Sequence, residues 1–391
     1  VALLAAVAVY LVVTITYALT VPVGSSADEP AHLNYARLIA DHAGLPGAHV
    51  VERQQPPLYY LLGAGLLRAG LDPVALRFLS IVIGLLAVWW VALTVRTIAP
   101  GRPWLAAGTA GALALLPGFQ FVSASISDDG LAIAAGSLLL LVTTRVALST
   151  APSTRLCLAI GAAVGVGLLA KETDLPLVVV LAGVAVWRWR RALAPRHVLT
   201  AGAVTAAIAG WWYVRNLVSF HSLLPPLTPI GVAHDTLNTG HELGVFTTLT
   251  IRGLFSPERY QGSPVDLAPA GRALIGLLAV ATACLAVAGT VAAARGWRRW
   301  APGCRAALAA HGLAAAGVLA FSLANSLLIV LMPQGRYLMV AAGGPLLAMC
   351  CGAGLLGRSR GRVAVLAGAW AATAITLSIM GLATAVDVAG S

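Results

Sequence analysis

SSADEPAHLNYARLIADHAG, residues Ser25 to Gly44, follows an apolar run that begins at residue 1. That run is long enough to cross about 30 Å of hydrocarbon. Asp28, Glu29 and His32 therefore crowd together at the edge of a bilayer. Ser26-Ala27-Asp28-Glu29 fits the S-x-x-E capping box, and Pro30 falls in the first turn. Ala31, Tyr35, Leu38, Ile39 and His42 recur at three- and four-residue steps, and Gly44 and Pro46 stop the pattern. The spacing predicts an amphipathic helix lying on the outer membrane surface. Acids at its start gain from the helix dipole whatever else they do. A carboxylate fixed there is also placed to act as a general base.

The rest of the chain repeats the apolar theme. Of 391 residues, 59% are hydrophobic and 10% charged, far from the quarter expected of a soluble protein. Apolar segments at about 1–22, 74–98, 103–120, 130–148, 156–171, 174–189, 198–214, 269–293, 306–331, 335–356 and 363–383 predict an all-α polytopic membrane protein. It has about eleven transmembrane helices and forms one domain over 1–391. The first outer loop, 23–73, carries juxtamembrane helices, the second starting at Pro56-Pro57 and running to about Ala69. The second long outer loop covers 215–268. No basic n-region precedes the first span, so a cleaved signal peptide is not expected.

Alternating the spans puts fifteen arginines, and no acid, in five loops on one side. The positive-inside rule makes that side cytoplasmic. All 14 acids and six of the eight histidines fall on the other side: His32, His42, His49, His221, His234 and His241. The net charge of +11 is thus an interfacial charge facing anionic lipids and does not call for nucleic acid. Heavy use of Ala, Gly and Arg points to a bacterial genome. The five cysteines have no zinc-site spacing, and none lies in an outer loop, so no structural disulfide is expected. No Walker A motif or dinucleotide fingerprint supports a nucleotide-fed enzyme or pump.

Four constellations on the outer side carry chemistry. Asp28-Glu29 is the first. Asp128-Asp129, joining two spans, is the second; a helix cap needs only one acid, and the pair is costly beside hydrocarbon. The third is a set of cations at span ends, Lys171, Arg215 and Arg336, suited either to snorkelling or to clamping a phosphate. The fourth, His234-Asp235 with His241-Glu242, has metal-ligand residue types in no familiar spacing. The tryptophans Trp89-Trp90 and Trp211-Trp212 read as packing or interface anchors.

Read in order, Asp28-Glu29-Pro30-Ala31-His32, Gln55-Pro56-Pro57-Leu58-Tyr59-Tyr60, Leu76-Arg77-Phe78-Leu79-Ser80, Ser127-Asp128-Asp129-Gly130, Leu169-Ala170-Lys171-Glu172 and Gln334-Gly335-Arg336-Tyr337 form a pattern. It resembles the GT-C superfamily of membrane glycosyltransferases, in the branch of protein O-mannosyltransferases and aminoarabinose transferases. The resemblance implies a GT-C-like fold and a polyprenyl-phosphate-linked sugar donor. It implies inverting hexosyl or pentosyl transfer to a glycan, lipid or protein hydroxyl at the extracytoplasmic face of a bacterial cell membrane. It places Asp28, Glu29, Asp128 and Asp129 as catalytic, Lys171, Arg336 and Arg215 on the phosphate, and His32, Gln55, Tyr59 and Tyr337 on the substrate. No cofactor is required by the sequence; Asp128 or Asp129 either orients the acceptor or holds a divalent ion. The rival readings are a lipid or glycan transporter and a non-catalytic assembly subunit of the same fold. The transporter would place its ionisable groups nearer mid-membrane.

Overall fold

The computed structural model describes residues 1–26, 28–42, 44–47, 52–224, 239–257, 266–328, 334–356 and 360–390. His49, His234, Asp235, Pro333 and Arg358 lie outside them, as do the side chains of His42 and His241. Among the described residues every regular element is helical: α1 (Ala2–Thr20), α2 (Glu29–His42), α3 (Leu58–Arg68), α4 (Val74–Ile98), α5 (Pro103–Leu115), α6 (Pro117–Ser123), α7 (Asp129–Leu148), α8 (Thr154–Ala170), α9 (Leu175–Trp189), α10 (Pro195–Thr205), α11 (Trp211–Phe220), α12 (Thr239–Phe255), α13 (Pro269–Arg295), α14 (Pro302–Leu328), α15 (Gly343–Leu356) and α16 (Arg360–Gly390).

Among the described residues six helices are long and apolar enough to cross a membrane, and eight spans result if each of two bent pairs counts once. The protein is a multi-pass membrane protein. The other expected spans coincide with α8 and α9, of 17 and 15 residues, and with α10–α11, so length alone does not confirm eleven crossings. The bends have identifiable causes. α5 and α6 meet at 65° where Pro117, with no N–H to donate, follows Leu116. A 3-10 turn, Gly335–Ala341, meets α15 at 77°, just ahead of Gly343-Gly344-Pro345. A π-helical turn, Ala206–Gly210, joins α10 to α11.

α7 is apolar on every side and buried along most of its length, as a central helix must be. It packs on α4, α8, α9, α14 and the 3-10 turn. Elsewhere in the bundle small residues let backbones approach. A Cβ on Gly289 would meet the Ala348 carbonyl oxygen at 1.9 Å, and one on Gly352 the Leu285 oxygen at 1.9 Å. α13 and α15 therefore touch backbone to backbone, a membrane packing that only small side chains permit.

Two expectations change. α2 has the predicted bounds, but Leu33, Tyr35, Ala36 and Ile39 are buried by protein, with α2 packed on α3. It is built into the molecule and does not rest its apolar face on lipid. The 215–268 stretch is partly helical: α11 continues to Phe220, and α12 packs on α6 and the 3-10 turn.

Candidate active site

Four backbone breaks bring the charged groups together. α1 ends at Thr20, and the following loop turns at Asp28, a non-glycine residue at φ 54°. Glu29 then opens α2, but not as a capping box. Ser26 Oγ meets the Tyr17 hydroxyl at 2.8 Å, and Glu29 Oε2 accepts from the Gly24 N–H at 2.7 Å. The remaining capacity of Glu29 goes to Arg77 of α4. Nε donates to Oε1 at 2.8 Å and Nη2 to Oε2 at 2.7 Å, both side chains being fully buried. Arg77 also donates to the carbonyls of Ala18, Val21 and Pro22, while Glu29 Oε1 accepts from the Ile126 N–H at 3.0 Å. This buried pair ties the end of α1 to the segment that leads into α7. Glu29 is thus a structural anchor here, with both oxygens committed, and does not share a face with Asp28.

The second break precedes α7. Ser127 Oγ donates to Asp129 Oδ2 at 2.9 Å and accepts from the Asp129 N–H, fixing Asp128 and Asp129 at the mouth of the central helix. The third is the end of α8, where Lys171 leaves the helix in an extended conformation. Its Nζ lies 2.8 Å from Asp128 Oδ1 and 2.6 Å from Asp129 Oδ1. The fourth is the 3-10 turn. Arg336 Nε donates to Gln334 Oε1 at 2.9 Å and lies 3.0 Å from Asp129 Oδ2; Nη2 reaches Asp28 Oδ2 at 2.6 Å. Three carboxylates and two cations therefore form one chain, Asp128–Lys171–Asp129–Arg336–Asp28. The Tyr337 ring covers both cations, at 5.4 Å from Lys171 Nζ and 5.7 Å from the Arg336 guanidinium carbon.

Of this chain, Asp28 alone is appreciably exposed, at 24% of its side chain against 4% for Arg336. Burial by itself would raise its carboxyl pKa. The Arg336 charge, His32 and the Arg336 hydrogen bond together outweigh that and hold it below the usual carboxylate range. His32 Nε2 stands 4.0 Å from Asp128 Oδ1, and its Nδ1 shares a 2.7 Å hydrogen bond with the Tyr60 hydroxyl. Tyr60 stacks on Tyr35 at 3.8 Å, and Tyr35 donates to the Gln55 carbonyl oxygen at 3.3 Å. Asp128 Oδ2 and Gln55 Oε1 are buried acceptors with no hydrogen-bond donor among the described residues.

Two more expected site residues are elsewhere. Tyr59 is fully buried, bonded to Ser80 at 2.9 Å, and belongs to the packing of α3 on α4. Arg215 donates to the Pro46 carbonyl at 2.7 Å and lies over the Trp212 and Phe220 rings at 5.0 and 4.8 Å, so its guanidinium is committed outside the cluster. The residues that sequence reasoning left without a role are Arg77, Ser127 and Gln334. Arg77 had a signal: an arginine inside an apolar helix needs a partner. Among the described residues no group of three or more His, Cys, Asp or Glu is disposed to hold a metal ion.

The comparisons with known proteins agree with this architecture. Residues 54–213 match the family model of dolichyl-phosphate-mannose-protein mannosyltransferase. The crystal structure of ArnT from Cupriavidus metallidurans in the apo state superposes with a TM-score of 0.61 at 17% identity, over 99% of this chain and 76% of that one. The same protein bound to undecaprenyl phosphate gives 0.45 at 19% identity, over 91% and 77%. No curated protein sequence matches the chain. The chain thus shares the fold of that ArnT structure, and residues 54–213 within it match the mannosyltransferase family model.

Proposed function

We propose that the chain is an inverting glycosyltransferase. It moves a sugar from a polyprenyl-phosphate carrier to an acceptor hydroxyl at the extracytoplasmic face of a bacterial cell membrane. The observation that carries this is the convergence of Asp28, Asp128, Asp129, Lys171 and Arg336 in one buried network from four separate segments. The mannosyltransferase family matched by residues 54–213 is named for a lipid-phosphate-linked sugar, which supports this donor class. The arginine-rich loops, all on the opposite side from the acids, support the extracytoplasmic assignment. The cluster also sits at helix ends and not at mid-span, which disfavours the transporter reading.

The chemistry follows from the positions. Asp28 accepts the proton of the acceptor hydroxyl, an effect typically worth about 10²–10⁴-fold. The acceptor oxygen bonds to the anomeric carbon as the carbon–phosphate oxygen bond breaks. Arg336 and Lys171 take up the charge growing on the departing phosphate, in surroundings where little water screens them. A single displacement inverts the anomeric centre. Asp128 and Asp129 hold Lys171 in place, and His32 and Tyr337 line the substrate's side of the network.

The purified protein, supplied with polyprenyl-phosphate hexoses and pentoses and a mixed glycan, lipid and peptide acceptor pool, should release polyprenyl phosphate. Asp28→Asn should abolish that release. A folded protein that releases none from any donor, or an Asp28→Asn variant with full transfer, overturns the reading.

A further inference from the structure

Arg336 is asked to do two things with one guanidinium. Its Nη2 is bonded to Asp28 at 2.6 Å, yet the function proposed above needs that guanidinium on the donor phosphate and needs Asp28 free to take a proton. Resting on that reading, we propose that the phosphate and Asp28 compete for Arg336. The arriving donor displaces the carboxylate and thereby frees the base.

Arg336 is the fixed partner. A Cβ on the preceding Gly335 would meet the Leu254 nitrogen at 2.4 Å and the Thr250 oxygen at 2.5 Å, so the 3-10 turn is pressed directly against α12. The guanidinium is further held by Gln334 and Asp129. Asp129 in turn is bound by Lys171 and Ser127, so it cannot leave cheaply.

Asp28 is the movable partner. Arg336 is the one side-chain contact described for its carboxylate, which is the most exposed of the three. Its backbone sits at φ 54°, a conformation that costs a non-glycine residue energy and persists only while its surroundings hold it. Asp28 is also not needed to hold the fold at this point, because Glu29 and Arg77 anchor the same loop independently.

Arg336 lines a narrow, mostly apolar crevice with Tyr17, Phe121, Val122, Ser127 and Ser256. Electrostatics gives the displacement its direction. Three carboxylates already face two cations, so a phosphate entering without ejecting one would deepen a negative excess. Once ejected, Asp28 loses the guanidinium that weakens it as a base, and proton removal becomes coupled to donor occupancy. Donor binding then precedes deprotonation of the acceptor, and an empty enzyme has no active base.

The test is equilibrium binding of a polyprenyl phosphate without sugar, with the acceptor absent. Asp28→Asn should bind it about tenfold or more tightly than wild type, because a charge-assisted competitor is gone, although the same variant loses transfer. Asp128→Asn removes the same charge from a residue bonded to Lys171 and should gain much less. Should Asp28→Asn not fold, Asp28→Gly tolerates the left-handed backbone and carries the same expectation. Equal or weaker binding by the folded Asp28 variant, or an equal gain in Asp128→Asn, overturns the competition and leaves the glycosyltransferase reading standing. Failure of folded wild type and variant alike to bind polyprenyl phosphate overturns both.

Discussion

Arg77 and Glu29 form a two-point ion pair, 2.8 and 2.7 Å, with neither side chain exposed to solvent. Removing one partner of such a pair strands the other charge, at a cost of about 3–5 kcal/mol. Glu29→Gln is therefore expected to lower the unfolding midpoint in detergent sharply. A double replacement, Glu29→Leu with Arg77→Met, should recover much of that stability. It should not recover transfer, because the Ile126 N–H loses the acceptor that sets the approach to Asp128 and Asp129.

Lys171 is the ammonium that joins Asp128 to Asp129. Lys171→Met leaves two buried carboxylates side by side. Single-turnover transfer should fall by about 10²–10³-fold, the usual loss when one charge-stabilising donor is removed from a reacting centre.

Gly335 tests whether the seat of Arg336 matters by itself. Gly335→Ala adds one methyl where Leu254 and Thr250 backbone atoms already stand. Overpacking of this kind costs about 1–3 kcal/mol. It should also shift Arg336 and reduce the rate. Gly276→Ala, in α13 with nothing within 4 Å of the added carbon, should leave activity unchanged and stability the same or slightly higher.

The Asp28–Arg336 pair predicts a pH signature. Because the folded-state carboxyl is held below its ordinary value, the pair's stabilisation is fully present above the unfolded pKa. It is lost as pH falls through the lowered folded value. The difference in unfolding midpoint between wild type and Asp28→Asn should be constant near neutrality and shrink only in strong acid. A difference that persists undiminished in strong acid would contradict the pairing.

The helical bundle was legible because its signal is local: each expected apolar segment coincides with helix. α12 was not, since TGHELGVFTTLTIRGLF mixes threonines and polar residues with no clean apolar face and takes its support from α6 and the 3-10 turn. The members of the cluster could be named from type and position, but not how they pair. Asp28 and Arg336 are 308 residues apart, and Glu29 and Arg77 are 48 apart. Nothing near Glu29 in the chain signals that its carboxylate turns to Arg77 while its neighbour Asp28 faces Arg336. Arg215 shows the converse: a cation at the right depth was taken by two aromatic rings and a carbonyl, a tertiary detail with no trace in spacing.

The α13–α15 crossing has a mechanical corollary. The helix that Gly352 presses against α13 follows the turn bearing Arg336 after a 77° bend. Two buried glycines thus fix how closely the helix after that turn lies against α13. A methyl added there must part the two helices, and any displacement passed to the turn would move the charge without altering a single member of the cluster.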